Sequence, residues 1–215
     1  MTSQNALGLC TVCNESNARL CSRCKSARFC STVCQRADWP THKFLCAAFS
    51  SFDSASRPSD EHFRAILFPV DEKKPELIWL HCTWRDDGDD GDGSRYQFPY
   101  MEPILGTDTL LRGIPFQYNQ ILKRNLSDTI CIGYRDTFLI DGSKPNMSVA
   151  AIIATKPGQY HDWRGPVIAY GMQGLGIDQI HCRDLSMNDF RHVTDYFLSY
   201  GYKDAPATGQ SSAQK

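Results

Sequence analysis

The chain has 215 residues, and its 23 lysines and arginines nearly balance its 24 aspartates and glutamates, giving a formal net charge of −1. This balance argues against strong electrostatic binding of nucleic acid or membranes. The length has room for one small module and one ordinary domain. No apolar run is long enough to cross a bilayer, and the opening segment MTSQNALGL lacks the features of a signal peptide. We therefore expect an intracellular protein, in the nucleus or the cytoplasm, whose paired cysteines bind metal and do not form disulfides.

After a flexible lead-in at residues 1–9, a dense set of metal ligands begins. Seven of the ten cysteines and one of the six histidines form four closely spaced pairs. The pairs are Cys10 and Cys13, Cys21 and Cys24, Cys30 and Cys34, and His42 and Cys46. Eight soft ligands predict two closed tetrahedral zinc sites, which have no open position for substrate and are therefore structural. The spacing alone leaves open whether the pairs combine as neighbours, in nested order or in alternation.

The second half of this segment reads as two short helices broken at Pro40. Ser31 or Thr32 is suited to cap the first helix, and Thr41 to begin the second. Residues four apart share one face of a helix, so the last two ligand pairs can each bind one metal.

The eight ligands, together with Gln35 after the sixth ligand, Trp39, and Phe29 before Cys30, resemble a MYND-type zinc finger over residues 10–46. The resemblance implies an alternating, cross-braced pairing with two zinc ions. Its first site would consist of Cys10, Cys13, Cys30 and Cys34, and its second site of Cys21, Cys24, His42 and Cys46.

The resemblance also implies a protein-interaction module that binds proline-rich peptides, with Gln35 and Trp39 at the peptide surface. The simpler interpretations are that Trp39 packs between the helix and the knuckles and that Gln35 is a solvated helix residue. Six lysines and arginines in residues 1–50 suggest DNA binding at first sight. Metal binding requires thiolates, however, and the net charge of the loaded module is only about +1. We therefore expect a protein partner and no strong binding of nucleic acid.

Residues 47–61 are rich in serine and aspartate and read as a linker. Residues 62–203 are expected to form an α+β domain, and residues 204–215 a disordered tail. Apolar runs predict strands at 76–84, 129–134, 148–154 and 167–170. A short helix is predicted at 117–124, and the acidic segment 86–93 is predicted to be a solvated loop, since it lacks the ligand pattern of a calcium site.

The last predicted element is a C-terminal amphipathic helix. Ser186 and Asp189 have the spacing of a capping box, and Gly201 can end the helix. Its apolar residues recur at helical spacing: Phe190, Val193, Phe197 and Leu198.

No catalytic residue is assigned by the sequence. Two hypotheses follow: an adaptor that recruits a partner in transcriptional regulation, or an uncharacterised enzyme in residues 62–203 that the finger localises. A cleft in which His161, Asp162, His181 and Cys182 converge would favour the enzyme. The segments expected of a SET-domain methyltransferase are not found in the sequence, and the adaptor is preferred.

Overall fold

The structure is a computed structural model that describes residues 8–86, 95–156, 162–175 and 181–200. The N-terminal elements are β1 (Arg19–Leu20), β2 (Arg28–Phe29), α1 (Thr32–His42), α2 (Cys46–Ser51) and a 3₁₀ helix (Ser54–Ser56). A sheet-rich domain follows, with β3 (His62–Phe68), β4 (Glu76–Asp86), β5 (Arg95–Pro99), α3 (Glu102–Leu105), β6 (Leu111–Asn119), β7 (Arg124–Arg135), α4 (Met147–Ile153), β8 (Val167–Met172), β9 (Cys182–Arg183) and α5 (Met187–Ser199). None of the helices in these ranges has the length and apolar character that crossing a membrane requires.

The helix α1 is continuous, so the prediction of two helices broken at Pro40 is wrong. Ser31 caps it: its Oγ accepts a hydrogen bond from the backbone N–H of Cys34 at 3.3 Å. Pro40 stands in the last turn, where it removes only one backbone hydrogen bond before the helix ends at His42. The second helix, α2, begins at Cys46 and not at Thr41.

The sheet is antiparallel throughout, with the strand order β5-β4-β3-β8-β7-β6 and with β9 beside β8. Successive side chains of a strand point to opposite faces. In β3, Ile66 and Phe68 accordingly join the core that faces the finger, and Ala65 joins a second core on the other face. The sheet therefore separates two apolar layers.

The strands predicted at 76–84, 129–134 and 167–170 lie within β4, β7 and β8, respectively. β4 differs from the prediction of a fully covered strand, because only Leu80 and Cys82 in it are buried and most of the others are half-buried. Of the acidic segment, Asp86 ends β4 and lies 3.2 Å from Arg95, and residues 87–94 lie outside the described part of the chain.

The helix predicted at 117–124 is wrong, since this stretch forms the hairpin between β6 and β7. Asn119 Oδ1 accepts hydrogen bonds from the backbone N–H groups of Ile121 and Leu122 at 3.0 and 2.7 Å. Lys123 adopts a left-handed backbone with φ of 51°. An asparagine that bonds its own backbone favours a turn over a helix.

The strand predicted at 148–154 is also wrong, because these residues form α4. Asn146 caps this helix: its Oδ1 accepts from the N–H of Val149 at 2.8 Å. The Nδ2 of the same side chain donates to the carbonyl oxygens of Phe68 and Gly165, each at 2.8 Å. Tertiary contacts of the cap thus outweigh the strand preference of the valine and isoleucines.

The helix α5 begins directly after Ser186 and has the expected capping box. Ser186 Oγ accepts from the N–H of Asp189 at 3.3 Å, and Asp189 Oδ2 accepts from the N–H of Ser186 at 2.7 Å. The apolar side chains named above are buried, and Phe197 packs edge-on against Phe68 with 5.1 Å between ring centroids. Gly201 lies outside the described residues.

The finger and the sheet share one apolar core. Leu45 and Phe49, at the end of the finger and in α2, belong to the same cluster of buried residues as Ile66 and Phe68 of β3. Residues 47–61 lie against the sheet: the Phe52 ring centroid is 4.9 Å from that of Trp79 in β4. The end of the finger, α2 and Phe52 are therefore packed against the sheet domain.

Candidate metal centre and its interface with the sheet domain

The first two cysteine pairs sit on tight backbone knuckles. The N–H of Asn14 donates to the carbonyl oxygen of Cys10, and the N–H of Lys25 to that of Cys21, both at 3.0 Å. Asn14 and Lys25 are left-handed, with φ of 64° and 52°. This turn brings two thiols that are three positions apart to the same side of the chain, as a shared metal requires.

The first ligand group gathers Cys10, Cys13, Cys30 and Cys34, whose sulfur atoms all lie within 4.8 Å of one another. Three of the Sγ–Sγ distances are 3.4, 3.6 and 3.7 Å. A tetrahedron with zinc–sulfur bonds of about 2.3 Å has edges of about 3.8 Å. The spacing therefore fits one zinc ion, and it is far longer than a disulfide bond of about 2.05 Å.

The second group gathers Cys21, Cys24, His42 and Cys46, and all four are buried. The Cys21 and Cys46 sulfurs are 3.9 Å apart, and the Cys24 sulfur is 3.9 Å from His42 Nε2. Each group combines the first and third or the second and fourth of the pairs along the chain. The alternating arrangement is thus the one that the structure contains, and the two groups fit two zinc ions.

The thiol of Cys24 has a lowered pKa. Burial opposes its ionisation, but hydrogen bonds with His42 and with the backbone of Ala27 and Ser26 outweigh that effect and lower its pKa to about 6. The thiolate is the form that binds metal, so zinc binding at this group requires ionisation of Cys24.

His42 is oriented by an acidic neighbour that the sequence analysis missed. Its Nδ1 lies 3.3 Å from Asp38 Oδ2, close enough for an ion pair although the angle falls short of a hydrogen bond, and Nε2 is directed toward the three thiols. A carboxylate behind a metal-binding histidine fixes the ring and strengthens the ligand. Asp38 and His42 lie four residues apart, but the predicted break at Pro40 placed them on different helices and concealed the pair.

Asp38 in turn contacts the sheet domain. Arg191 of α5 donates from Nη1 to Asp38 Oδ1 at 2.9 Å and from Nε to Asp195 Oδ2 at 2.8 Å. Asn119 at the end of β6 donates from Nδ2 to the same oxygen of Asp195 at 2.9 Å. Hydrogen bonds therefore connect Asp38, which lies beside His42, to the sheet.

Two further hydrogen bonds cross the same interface. Arg124 of β7 donates from Nη2 to the carbonyl oxygen of Thr11 at 2.8 Å. The N–H of Met187, in the first turn of α5, donates to Ser26 Oγ at 3.0 Å. Both contacts hold knuckle residues against the sheet domain.

The two residues predicted at the peptide surface lie on α1, away from the sheet. Gln35 is exposed and lines a groove of about 570 Å³ whose other wall includes Leu20 and Phe29 of the β1–β2 hairpin. Trp39 is 48% exposed, and its ring centroid lies 5.9 Å from that of His42. The ring therefore covers one side of the second ligand group and still presents its other side to solvent.

The residues proposed for an enzyme site do not come together among those described. Asp162 pairs with Arg164 at 2.9 Å before β8 begins, while Cys182 pairs in register with Met172 at the other end of β8. His181 is exposed against Trp84, and His161 lies outside the described residues. Within the described ranges, moreover, only the two finger groups bring three or more potential metal ligands together.

Comparison with known proteins agrees with this geometry. A family model described as the MYND finger matches residues 10–46. Ubiquitin carboxyl-terminal hydrolase 19 of Arabidopsis thaliana is 48% identical over 61 residues, which are 27% of this chain and 9% of that protein. N-lysine methyltransferase SMYD2 of Gallus gallus is 48% identical over 40 residues, which are 19% of this chain and 9% of that protein.

One similarity extends far beyond the finger. SET domain and MYND-type zinc finger protein 6 of Schizosaccharomyces pombe is 33% identical over 129 residues, which are 59% of this chain and 25% of that protein. The chain thus spans a quarter or less of the length of these curated relatives. No solved structure matches the chain significantly. The ligand geometry and the family match together identify residues 10–46 as a MYND-type zinc finger.

Proposed function

We propose that this protein is a zinc-dependent interaction adaptor that recruits a partner through a proline-rich peptide, in transcriptional regulation. The eight cysteine and histidine side chains of the two groups hold the zinc ions, and Gln35 and Trp39 contact the peptide. The observation that carries this proposal is the exposed indole of Trp39 on a helix whose other side is anchored to metal ligands.

The exposed surface of α1 supports this role. Apolar side chains are normally buried, yet Val33 and Trp39 are 73% and 48% exposed, and Leu20 across the groove is 38% exposed. A proline-rich segment is already extended before binding and loses little conformational entropy when it docks on such a surface. The groove beside Gln35 has the volume for several peptide side chains.

The rigidity of this surface also supports a role in peptide binding. Trp39 and His42 lie on the same helix, and zinc at the second group would hold His42 in place. A tryptophan whose orientation is fixed before binding loses little freedom on contact with a peptide. Recruitment would therefore depend on zinc even though the metals make no contact with the partner.

The test compares Trp39→Ala and Gln35→Ala with the wild-type chain in binding a proline-rich peptide, measured by fluorescence anisotropy. We expect Trp39→Ala to weaken the affinity about tenfold or more, as loss of a central aromatic residue does, and Gln35→Ala to weaken it less. Arg36→Ala, an exposed substitution on the same helix, is the matched control. Equal affinity of wild-type protein and Trp39→Ala, both loaded with two zinc ions, would refute the proposal.

The second candidate is an enzyme activity in residues 62–203 that the finger localises. The observation in its favour is the alignment of 129 residues with the fission yeast protein, which is too long to lie in the finger alone. Transfer of a labelled methyl group from S-adenosylmethionine to protein lysines is the assay to run first. Transfer above that of a heat-inactivated control would support this candidate.

A further inference from the structure

A side chain from the far end of the chain contacts the carboxylate that lies beside the second zinc group. Arg191 lies 149 positions after His42, and its guanidinium bridges the finger carboxylate of Asp38 and the α5 carboxylate of Asp195. Asp38 therefore has a zinc ligand on one side and Arg191 on the other.

This contact lies in the protein interior. The side chains of Asp38, His42 and Asp195 are 3%, 2% and 2% exposed, and that of Arg191 is 12% exposed. Burying two carboxylates is costly unless each has a cationic or hydrogen-bonding partner. Arg191 is suited to this bridge because its planar guanidinium offers several donors in fixed directions.

We propose that Arg191 is a positioning residue of the second zinc site, through which zinc binding by the finger and folding of the sheet domain are thermodynamically linked. Arg191 binds Asp38 by a hydrogen bond, the Asp38 carboxylate lies 3.3 Å from Nδ1 of His42 and favours one orientation of the imidazole, and His42 presents Nε2 to the metal. Loss of the arginine frees the carboxylate to rotate away from His42. Linkage is reciprocal, so bound zinc also stabilises the docked position of α5.

The inference goes beyond peptide recruitment and does not depend on it. It concerns metal affinity, which can be measured with no partner present. Outer-sphere partners of metal ligands typically change metal affinity 10- to 100-fold, which sets the expected size of the effect.

The experiment compares Arg191→Gln with Arg183→Gln in the full chain. Arg183 is a matched control: it also forms a buried ion pair, with Asp189 at 2.8 Å, and its side chain is 16% exposed, but neither residue touches the zinc ligands. Zinc affinity is measured by competition with a chelator. Cadmium-113 NMR then separates the site with four sulfur ligands from the site with three sulfurs and one nitrogen.

We expect Arg191→Gln to weaken zinc binding about tenfold or more and to shift the cadmium resonance of the histidine-containing site. Arg183→Gln should leave the cadmium resonance unshifted and reduce zinc affinity far less than Arg191→Gln does, because the pair of Arg183 and Asp189 touches no zinc ligand. Wild-type affinity and an unshifted resonance in Arg191→Gln would overturn the proposal, and so would equal losses in the two variants.

Two further variants cover the case in which Arg191→Gln does not fold. Arg191→Lys keeps the charge but lacks the planar fork, and we expect an intermediate loss of affinity. Asp38→Asn keeps the size of the side chain, and its combination with Arg191→Lys should cost less than the sum of the two single losses. Additive losses would show that the two residues act separately and would contradict the proposal.

Discussion

The finger and the sheet domain build their interiors in different ways and yet meet in one core. In the finger, five of the twelve buried residues are metal ligands, whereas the sheet domain is filled by apolar side chains such as Phe68, Ile132 and Phe190. A segment as short as the finger cannot bury enough apolar surface to fold by itself. The zinc ions and the apolar face of the sheet provide the remaining stabilisation. We therefore regard the finger as sharing the core of the sheet domain and not as a tethered module.

The two zinc groups show the same contrast on a smaller scale. In the first group Cys13 and Cys30 are exposed, whereas all four residues of the second group are buried against the sheet. The second group also has the polar contacts that lead through Asp38 into α5. The metal nearer the sheet is therefore the one whose loss should affect the rest of the molecule.

Removal of both metals should have the largest effect on this arrangement. Structural zinc contributes about 10 kcal/mol or more of apparent folding free energy in small fingers. Because the ligands alternate, we expect a chelator to unfold residues 10–46 in one transition. Circular dichroism during a titration with the chelator measures this transition. Separate loss of the two metals in that titration would show that the sites do not act as one unit.

Truncation of Leu45 tests whether the core is shared. Leu45 is fully buried at the end of the finger, and Leu45→Ala should cost about 2–5 kcal/mol of unfolding free energy for the whole chain. Ile132→Ala in β7, also fully buried, is the matched control and should cost a similar amount. Urea unfolding at saturating zinc measures both. If Leu45→Ala affects only an early transition and leaves the sheet unchanged, the core is not shared.

The stability of the protein should depend on pH through a histidine at the interface between the finger and the sheet domain. His192 of α5 is buried, and burial together with the nearby Arg124 lowers its pKa to about 4. An unfolded histidine takes up a proton below about pH 6.5, so acidification stabilises the unfolded state and native stability falls between pH 6.5 and pH 4. We expect protonation of this group in the unfolded chain to lower the free energy of unfolding by about 2 kcal/mol between pH 7 and pH 5.

The measurement compares urea unfolding of the wild-type chain and His192→Gln at both pH values, with zinc saturating. The difference between the two proteins isolates the histidine from the protonation of the zinc ligands. An equal loss in both proteins would mean that His192 is not held neutral at this interface.

Local chemistry explains which parts of the molecule could be predicted from the sequence. The zinc ligands and the α5 capping box depend on residues only a few positions apart, and both appear where the spacing placed them. The pairing of the ligands is not local, and it required the family resemblance. The errors at 117–124 and 148–154 share one cause, because Asn119 and Asn146 were not recognised as a turn and a cap residue.

The contact between finger and sheet could not be predicted in this way. Asp38 and Arg191 are 153 positions apart, and nothing in the spacing of either residue indicates the other. The sequence of residues 47–61 is polar and resembles a flexible linker, but Arg57 donates from Nη2 to Asp184 at 2.6 Å and secures it to the sheet domain. Such pairs are selected by the tertiary fold and leave no local pattern.

Hydrogen exchange of the full chain with and without a zinc chelator tests the central claim most directly. If the finger and the sheet domain form one unit, metal removal should lower the protection of the α5 amides and of the adjoining strands β6 and β7. Exchange should accelerate at these positions as well as in residues 10–46. Unchanged protection of α5 after both metals are lost would contradict the account and show that the finger is an independent module.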